Sequence, residues 1–317
     1  MSGILVYSEL EETSLGLLTK GRSLAAELNK PLYVALLGQD SPQPSKDYFS
    51  HGASRIYVGD DPALDPFHAR TYAAALAQIV DHAQVEIVLV GSTQRGRELA
   101  PSLAQKLSAG CLTDATNLYV DGERLIVERR ALGGNTIAVR FITSTQQVIS
   151  VMPKLYDPEP GNSGEGEVIS VPLSLEPSNI RLVDLRPKEA AGVNIEEAEV
   201  LVCFGRGVAN QDDLNLIQNL ADSLDGMVGC TRPMSHDYHW IAEDQMIGIS
   251  GKEINPLLYI GVGVSGQIQH TVGIMNSKVI VAINKDPNAL IFKMADYGIV
   301  GDLYQVVPQL IDALRST

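Results

Sequence analysis

Short apolar runs alternate with amphipathic segments along most of the 317 residues, and that rhythm restricts the fold more than any other feature. Ile4 to Tyr7, Leu32 to Leu37, Arg55 to Val58 and Val85 to Val90 read as strands. Leu17 to Leu28, about Pro66 to Val80, and Glu98 to Leu107 carry helical spacing between and after them. Strands that are apolar on both sides, separated by helices, pack as a mostly parallel sheet covered on both faces.

The pattern changes after Gly110. Leu118 to Val120, Leu125 to Arg130, Ile137 to Phe141 and Gln147 to Val151 are strand-like, and the dipeptides Asp121-Gly122 and Gly133-Gly134 favour hairpin turns between them. These four runs predict a small antiparallel annex. The stretch Asp157 to Glu167 is dominated by proline, glycine and acidic residues and reads as a loop. A polar segment from Leu173 to about Ile195 follows, which places a domain boundary around residues 186–196 and divides the chain into 1–190 and 191–317. The α/β rhythm then restarts. Val200 to Phe204, Leu257 to Gly261, Lys278 to Ile283 and Ile299-Val300 are strands, and a helix is expected over about Gln211 to Leu224. The last segment puts Leu303, Val306, Val307, Leu310, Ile311 and Leu314 on one helical face. The expected class is therefore α/β: two Rossmann-like domains with mostly parallel sheets, the first carrying the annex.

A formal net charge of -14 disfavours nucleic acid and anionic membrane as partners. The three cysteines, Cys111, Cys203 and Cys230, are too dispersed for a disulfide framework or a cysteine-ligated cluster. His236 and His239 straddle Asp237, but a pair of histidines at that spacing is weak evidence of a metal site, and no metal is expected. The chain opens on a strand without a basic leader, and no run of about eighteen apolar residues occurs. A cytoplasmic setting and no membrane insertion are expected.

Residues with chemical meaning concentrate in four runs. In Leu258 to His270 a buried strand runs into Gly261, Gly263 and Gly266, and Ser265 is expected to open a helix. Such a junction lies at the carboxyl end of a parallel sheet, where ligands bind, and its amides offer an anion site. A simple tight turn has the same pattern. The run also sits too late in the chain for the usual nicotinamide dinucleotide fingerprint. The second run, Val279 to Pro287, brings Asn284 out at the same rim. In the third, Ala295 to Asp302, the aspartate either holds a ligand or caps the final helix. The fourth is Gly229 to Pro233 with Ile247 to Lys252. Here Arg232 is either a surface charge or a cation reaching a phosphate or a reduced ring, and Lys252 faces solvent or phosphate.

The combination of Ser265-Gly266 with Gln269-His270, of Ala282 to Pro287, and of Ala295 to Asp302 closely resembles the alpha subunit of electron transfer flavoproteins. Gly91 to Leu107 and Gly133 to Ile137 agree more loosely. The resemblance covers most of the chain and is strongest in the last hundred or so residues.

This resemblance implies one FAD in the C-terminal domain and an N-terminal domain that packs against a separate beta subunit. Donors would be acyl-CoA dehydrogenases or similar flavoenzymes, and the acceptor a quinone oxidoreductase or another redox protein. It also implies residue roles. Arg232 would lie over the isoalloxazine, and the Ser250 hydroxyl would point toward N5. Ser265, with Gly263 and Gly266, would lie near the diphosphate. Gln269 and His270 would lie at the flavin and its linker, the histidine near the O2 carbonyl. Asn284 and Asp302 would hold the adenosine half. A cation or donor beside the reduced ring stabilises its negative charge, and none of these roles needs a nucleophile or general base. One departure is Ile249, where the mitochondrial-type proteins usually carry a glutamine. The wording of Gly229 to Pro233 and of Gly266 to Gln269 leans toward the group whose members use NADH, hold a second FAD in the beta subunit and bifurcate electrons. A non-redox nucleotide-binding protein of the universal-stress type would fit the first domain alone.

Overall fold

A computed structural model describes residues 2–39, 45–132, 134, 136–161, 164–176, 180, 183–184 and 194–315. The chain divides into two compact units, Met1–Val183 and Asp184–Thr317. The expected boundary at 186–196 falls mostly outside the described residues, as does Gly133 of the expected second hairpin turn.

Among the described residues the first unit is built on nine strands: β1 (Gly3–Tyr7), β2 (Leu32–Gly38), β3 (Arg55–Asp60), β4 (Val85–Gly91), β5 (Gly110–Asp121), β6 (Arg124–Ala131), β7 (Thr136–Arg140), β8 (Gln147–Val151) and β9 (Glu167–Ser170). Its helices are α1 (Glu11–Leu28), α2 (Lys46–Ser50), α3 (Ala69–Ala83) and α4 (Gln94–Leu107). The strands lie in the order β7-β6-β5-β8-β4-β1-β2-β3-β9. The central strands are buried on both faces: Leu5, Tyr7 and Val88 face a core shared with α3 and α4, while Ile4, Val6 and Leu89 face one shared with α1. That two-sided burial is why these runs are continuously apolar.

Two expectations about the annex need correction. β8 is not antiparallel; it lies parallel between β4 and the first part of β5. A sequence run specifies a strand but not its neighbour. β5 itself is longer than expected and bends. Gly110 to Leu112 pair parallel with β8, and Ala115 to Asp121 pair antiparallel with β6. Asp114 sits at the break with φ of 55°. The antiparallel annex is thus the second part of β5 with β6 and β7. A further parallel strand, β9, begins at the end of the acidic loop.

The order of β1 and β4 creates a topological switch point, where successive crossovers leave in opposite directions. Side chains of the chain itself bond to one another at this crevice. Thr93 donates to the Glu9 carboxylate at 2.6 Å and accepts the Gly96 N–H at 3.0 Å. Ser92 donates to Asp114 at 2.5 Å, and Arg97 pairs with the same carboxylate at 3.3 Å.

Among the described residues the second unit has six parallel strands: β10 (Val200–Phe204), β11 (Met227–Thr231), β12 (Met246–Ile247), β13 (Leu258–Val262), β14 (Val279–Asn284) and β15 (Tyr297–Val300). The α-helices that accompany them are α5 (Leu214–Asp222), α6 (Ile268–Thr271) and α7 (Leu303–Arg315). In α7, which packs on α5 and β14, Leu303, Val307 and Ile311 are buried in the core of the unit, and Val306, Leu310 and Leu314 pack against it. Each fully buried aliphatic side chain of this kind contributes about 1.5–3 kcal/mol. Among the described residues no helix is long and apolar enough to cross a membrane.

Candidate functional site

The second sheet runs β12-β11-β10-β13-β14-β15. From β10 the chain moves outward to β11 and β12, then returns to the other side of β10 for β13, β14 and β15. The switch point therefore lies between the carboxyl ends of β10 and β13. All six strands are parallel, so every loop leaving a strand end emerges at one rim. Arg232 follows β11, Ser250 follows β12, Gly263 to His270 follow β13, Asn284 ends β14, and Asp302 comes just after β15. The steps from β11 to β15 span about 19 Å at the usual strand spacing. Such a rim suits an elongated ligand rather than a compact one.

The loop after β13 is shaped by two glycines with left-handed backbone. Gly263 has φ of 64°, and a Cβ there would stand 2.7 Å from the Gly207 Cα. Gly266 has φ of 79°, and a Cβ there would collide with the backbone of Ile291. Side chains would force apart the loops that meet at the switch point. Ser265 and Gln269 are exposed, while Gly266 is buried. The carbonyl of Ser265 accepts the Ile291 N–H at 3.2 Å. Among the described residues, the amides of Ser265, Gly266 and Gln267 have no protein acceptor. Consecutive free amides of this kind form an anion-binding concavity. The expected helix does not begin at Ser265; α6 starts at Ile268, and Ser265 belongs to the preceding turn.

Arg232 directly follows a strand. Gly229, Cys230 and Thr231 are the end of β11, and the exposed Arg232 comes off that strand end. The loop after β12 docks on α6: the Ile249 N–H donates to the Gln269 carbonyl at 2.8 Å, leaving Ser250 exposed. Lys252 pairs with Glu196 at 2.6 Å, so its partner is a carboxylate of this chain. His236 lies 3.4 Å from the Glu243 carboxylate.

His270 is buried at 7% exposure, and both of its ring nitrogens meet protein partners. Nδ1 lies 3.3 Å from the Ile247 carbonyl and Nε2 lies 2.8 Å from the Tyr259 hydroxyl. A carbonyl can only accept, so Nδ1 carries the hydrogen and Nε2 accepts from Tyr259. The Cys203 thiol is 3.9 Å from the same Nε2. Burial holds the imidazole neutral, with its pKa pushed down to about 4. Burial also raises the Cys203 thiol and the Tyr259 phenol well above their ordinary values.

Asn284 ties two strand ends together. Its amide donates to the Val264 carbonyl at 2.8 Å and its oxygen accepts the Asp286 N–H at 2.9 Å. Asp302 caps α7, its carboxylate accepting the Tyr304 N–H at 3.0 Å. The Tyr304 hydroxyl donates to Asp213 at 2.6 Å and accepts the Ala209 N–H at 2.9 Å, joining α7 to the loop after β10. The hydrogen bonds thus unite the regions of Ser250, Ser265, Gln269, His270 and Asn284. Arg232 and Asp302 stand toward opposite ends of the same rim.

Arg206 escaped the sequence reading as a candidate. It is exposed between Gly205 and Gly207 at the end of β10, beside the switch point. A cation flanked by glycines directly after a buried strand was the available signal.

Residues 6–176 match the family described as "Electron transfer flavoprotein domain", and residues 194–275 match "Electron transfer flavoprotein FAD-binding domain". "Electron transfer flavoprotein subunit alpha" of Thermoanaerobacterium thermosaccharolyticum is 39% identical over 313 residues, covering 97% of this chain and 94% of that protein. Its counterpart in Clostridium acetobutylicum is 37% identical over 327 residues, covering 99% and 97%. "Lactate dehydrogenase (NAD(+),ferredoxin) subunit LctC" of Acetobacterium woodii is 34% identical over 324 residues, covering 99% and 77%. With the switch point between β10 and β13 inside the segment that matches the FAD-binding domain, and with relatives of this identity along nearly the whole chain, the protein belongs to the electron transfer flavoprotein alpha-subunit family.

Proposed function

We propose that the chain is the FAD-binding subunit of a two-subunit electron carrier, with FAD along the rim of the second unit and a separate beta subunit against the first. It would take electrons from an acyl-CoA dehydrogenase-type or other flavoenzyme and pass them to a quinone oxidoreductase or another acceptor, in the cytoplasm. The observation that carries this reading is the set of unpartnered amides at Ser265 to Gln267, at the switch point of an all-parallel sheet.

In this reading those amides, with Gly263 and Gly266 keeping the backbone close, receive the diphosphate, and Arg206 adds a cation beside it. Arg232 and the Ser250 hydroxyl serve the ring end, while Asn284 and the loop before Asp302 frame the adenosine end. Bound FAD supplies the capacity to accept and release electrons. The protein's part is to bind, orient and tune. His270 acts from beneath: by holding the Ile247 carbonyl it fixes the start of the loop that presents Ser250.

A second reading is a bifurcating subunit partnered by a beta chain that holds its own FAD and uses NADH. The relative whose name includes NAD(+) and ferredoxin favours it. Both are tested by co-purifying this chain with its beta subunit and counting released FAD. One FAD per heterodimer is expected for the simple carrier and two for the bifurcating form. A heterodimer that retains no flavin refutes both.

A further inference from the structure

The first unit carries a cleft at the carboxyl end of β2, on the side of its sheet where parallel strands present ligand sites. Gln39 follows that strand directly, Leu64, Asp65 and Phe67 belong to the turn that leads into α3, and Tyr72 of α3 and Arg95 of α4 complete the lining. The cleft has a volume of about 310 Å³, the lower end of the range that small-molecule sites occupy.

Its polar groups are left unused by the chain. Arg95 and Asp65 bring opposite charges to one cleft, yet among the described residues they form no ion pair with each other or with any other group. The Arg95 guanidinium is held instead 5.1 Å from the centre of the Phe67 ring, which packs 4.8 Å from the Tyr72 ring. Tyr72 is 6% exposed and Tyr7, close by, 3%, and neither hydroxyl has a hydrogen-bond partner among the described residues. Buried phenols ordinarily find one. The charges of Arg95 and Asp65 both act on the Tyr72 hydroxyl, and burial raises its pKa, so it stays a neutral donor. Glu9 Oε2 is also buried without a partner, and its charge reaches both phenols. One guanidinium is thus set against two carboxylates, a balance that disfavours phosphate or a dicarboxylate.

We propose that this cleft binds a free α-amino acid with a short aliphatic side chain. Opposite charges held apart across a cavity are complementary to a small molecule that carries the same two charges in reverse. The ligand carboxylate pairs with the Arg95 guanidinium, whose fork matches two oxygens, and accepts from the Tyr72 hydroxyl. The ligand ammonium donates to the Asp65 carboxylate, on the side favoured by the charge of Glu9. The Gln39 amide offers both a donor and an acceptor and serves either end. Leu64 and Phe67 receive the aliphatic side chain. A ligand with only one of the two charges leaves Arg95 or Asp65 unmatched. None of these groups belongs to the flavin rim, so the site stands whether or not the chain carries electrons.

The test is calorimetric titration of the full chain, co-purified with its beta subunit, with L-leucine as the probe. Saturable binding in the millimolar range or tighter is expected. Isocaproate, which lacks the ammonium, and isoamylamine, which lacks the carboxylate, should each bind roughly tenfold more weakly, the equivalent of one charge-assisted hydrogen bond. Arg95→Gln should bring leucine down to the level of isoamylamine, and Asp65→Asn should bring it down to the level of isocaproate. Both residues are exposed, so the melting temperature should hold in both variants. Tyr72→Phe should weaken leucine and isocaproate together and spare isoamylamine, a pattern that a packing role alone would not produce. Absence of saturable leucine binding overturns the proposal. So does equal binding of leucine and isocaproate by the unaltered protein, or leucine binding that Arg95→Gln and Asp65→Asn both leave unchanged. Should no heterodimer form, the same titrations on the chain alone decide, since the cleft lies within its first unit.

Discussion

Acidification should cost the second unit the contribution of one buried imidazole. His270 is neutral in the fold because burial lowers its pKa from 6.5 to about 4. Above pH 6.5 the folded and unfolded chains both hold it neutral, and the full stabilisation is present. As pH falls from 6.5 toward 4, the unfolded chain takes up a proton that the folded chain refuses, so stability declines across that window. At 1.36 kcal/mol per pH unit, the gap amounts to about 3 kcal/mol. The perturbation that isolates it is His270→Asn, which keeps an N–H for the Ile247 carbonyl and cannot titrate. Native-state hydrogen exchange of the β13 amides in denaturant reads the opening of the second unit. The stability difference between wild type and variant should shrink by about 3 kcal/mol between pH 7 and pH 4. Nitrogen-15 spectra of the six histidines, with the His270 signal assigned by its loss in the variant, should show a hydrogen on Nδ1 down to about pH 5. Parallel stability curves, or a doubly protonated His270 at pH 6, would refute the argument.

Two further outcomes are expected. Asp302→Ala removes the cap of α7 and should cost about 1 kcal/mol in denaturant unfolding; FAD content after dialysis then separates the roles, since full retention would leave Asp302 a cap alone. With FAD confirmed bound, Arg232→Ala should lower the flavin reduction potential, and Arg232→Lys should recover part of the change. A loss of 1.4 kcal/mol of charge stabilisation corresponds to about 60 mV for one electron, and an unchanged potential in the alanine variant removes Arg232 from the electrostatics of the ring.

The sequence made the doubly wound sheets legible because their central strands are buried on both faces and so read as unbroken apolar runs. β11 was missed where that signature fails. Gly229 interrupts its apolar run, and a Cβ there would come within 2.8 Å of the tip of the Ile247 side chain, which would have to shift. β9 is exposed at three of its four positions and follows a loop rich in proline and glycine, so hydropathy could not reveal it. The parallel placement of β8 depends on a partner far away in sequence. At the rim, glycine spacing pointed to the turn after β13, but the short start of α6 and the inward turn of His270 depend on Tyr259 and the Ile247 carbonyl. Asn284 was expected at the rim, whereas its bond to the Val264 carbonyl depends on the bend that Gly263 makes.

The self-bonded crevice of the first unit has a consequence for how the protein fares when its ligand is scarce. Thr93, Glu9, Ser92 and Asp114 occupy that switch point as covalent parts of the chain, so their local concentration never varies. On the proposed reading FAD would occupy the corresponding space of the second unit, and stability there would follow FAD supply by mass action. A hundredfold excess over the dissociation constant would add about 2.7 kcal/mol there and nothing at the first crevice. Starvation for the ligand would therefore expose the chain to proteases from its C-terminal half, while the N-terminal half persists as a folded remnant.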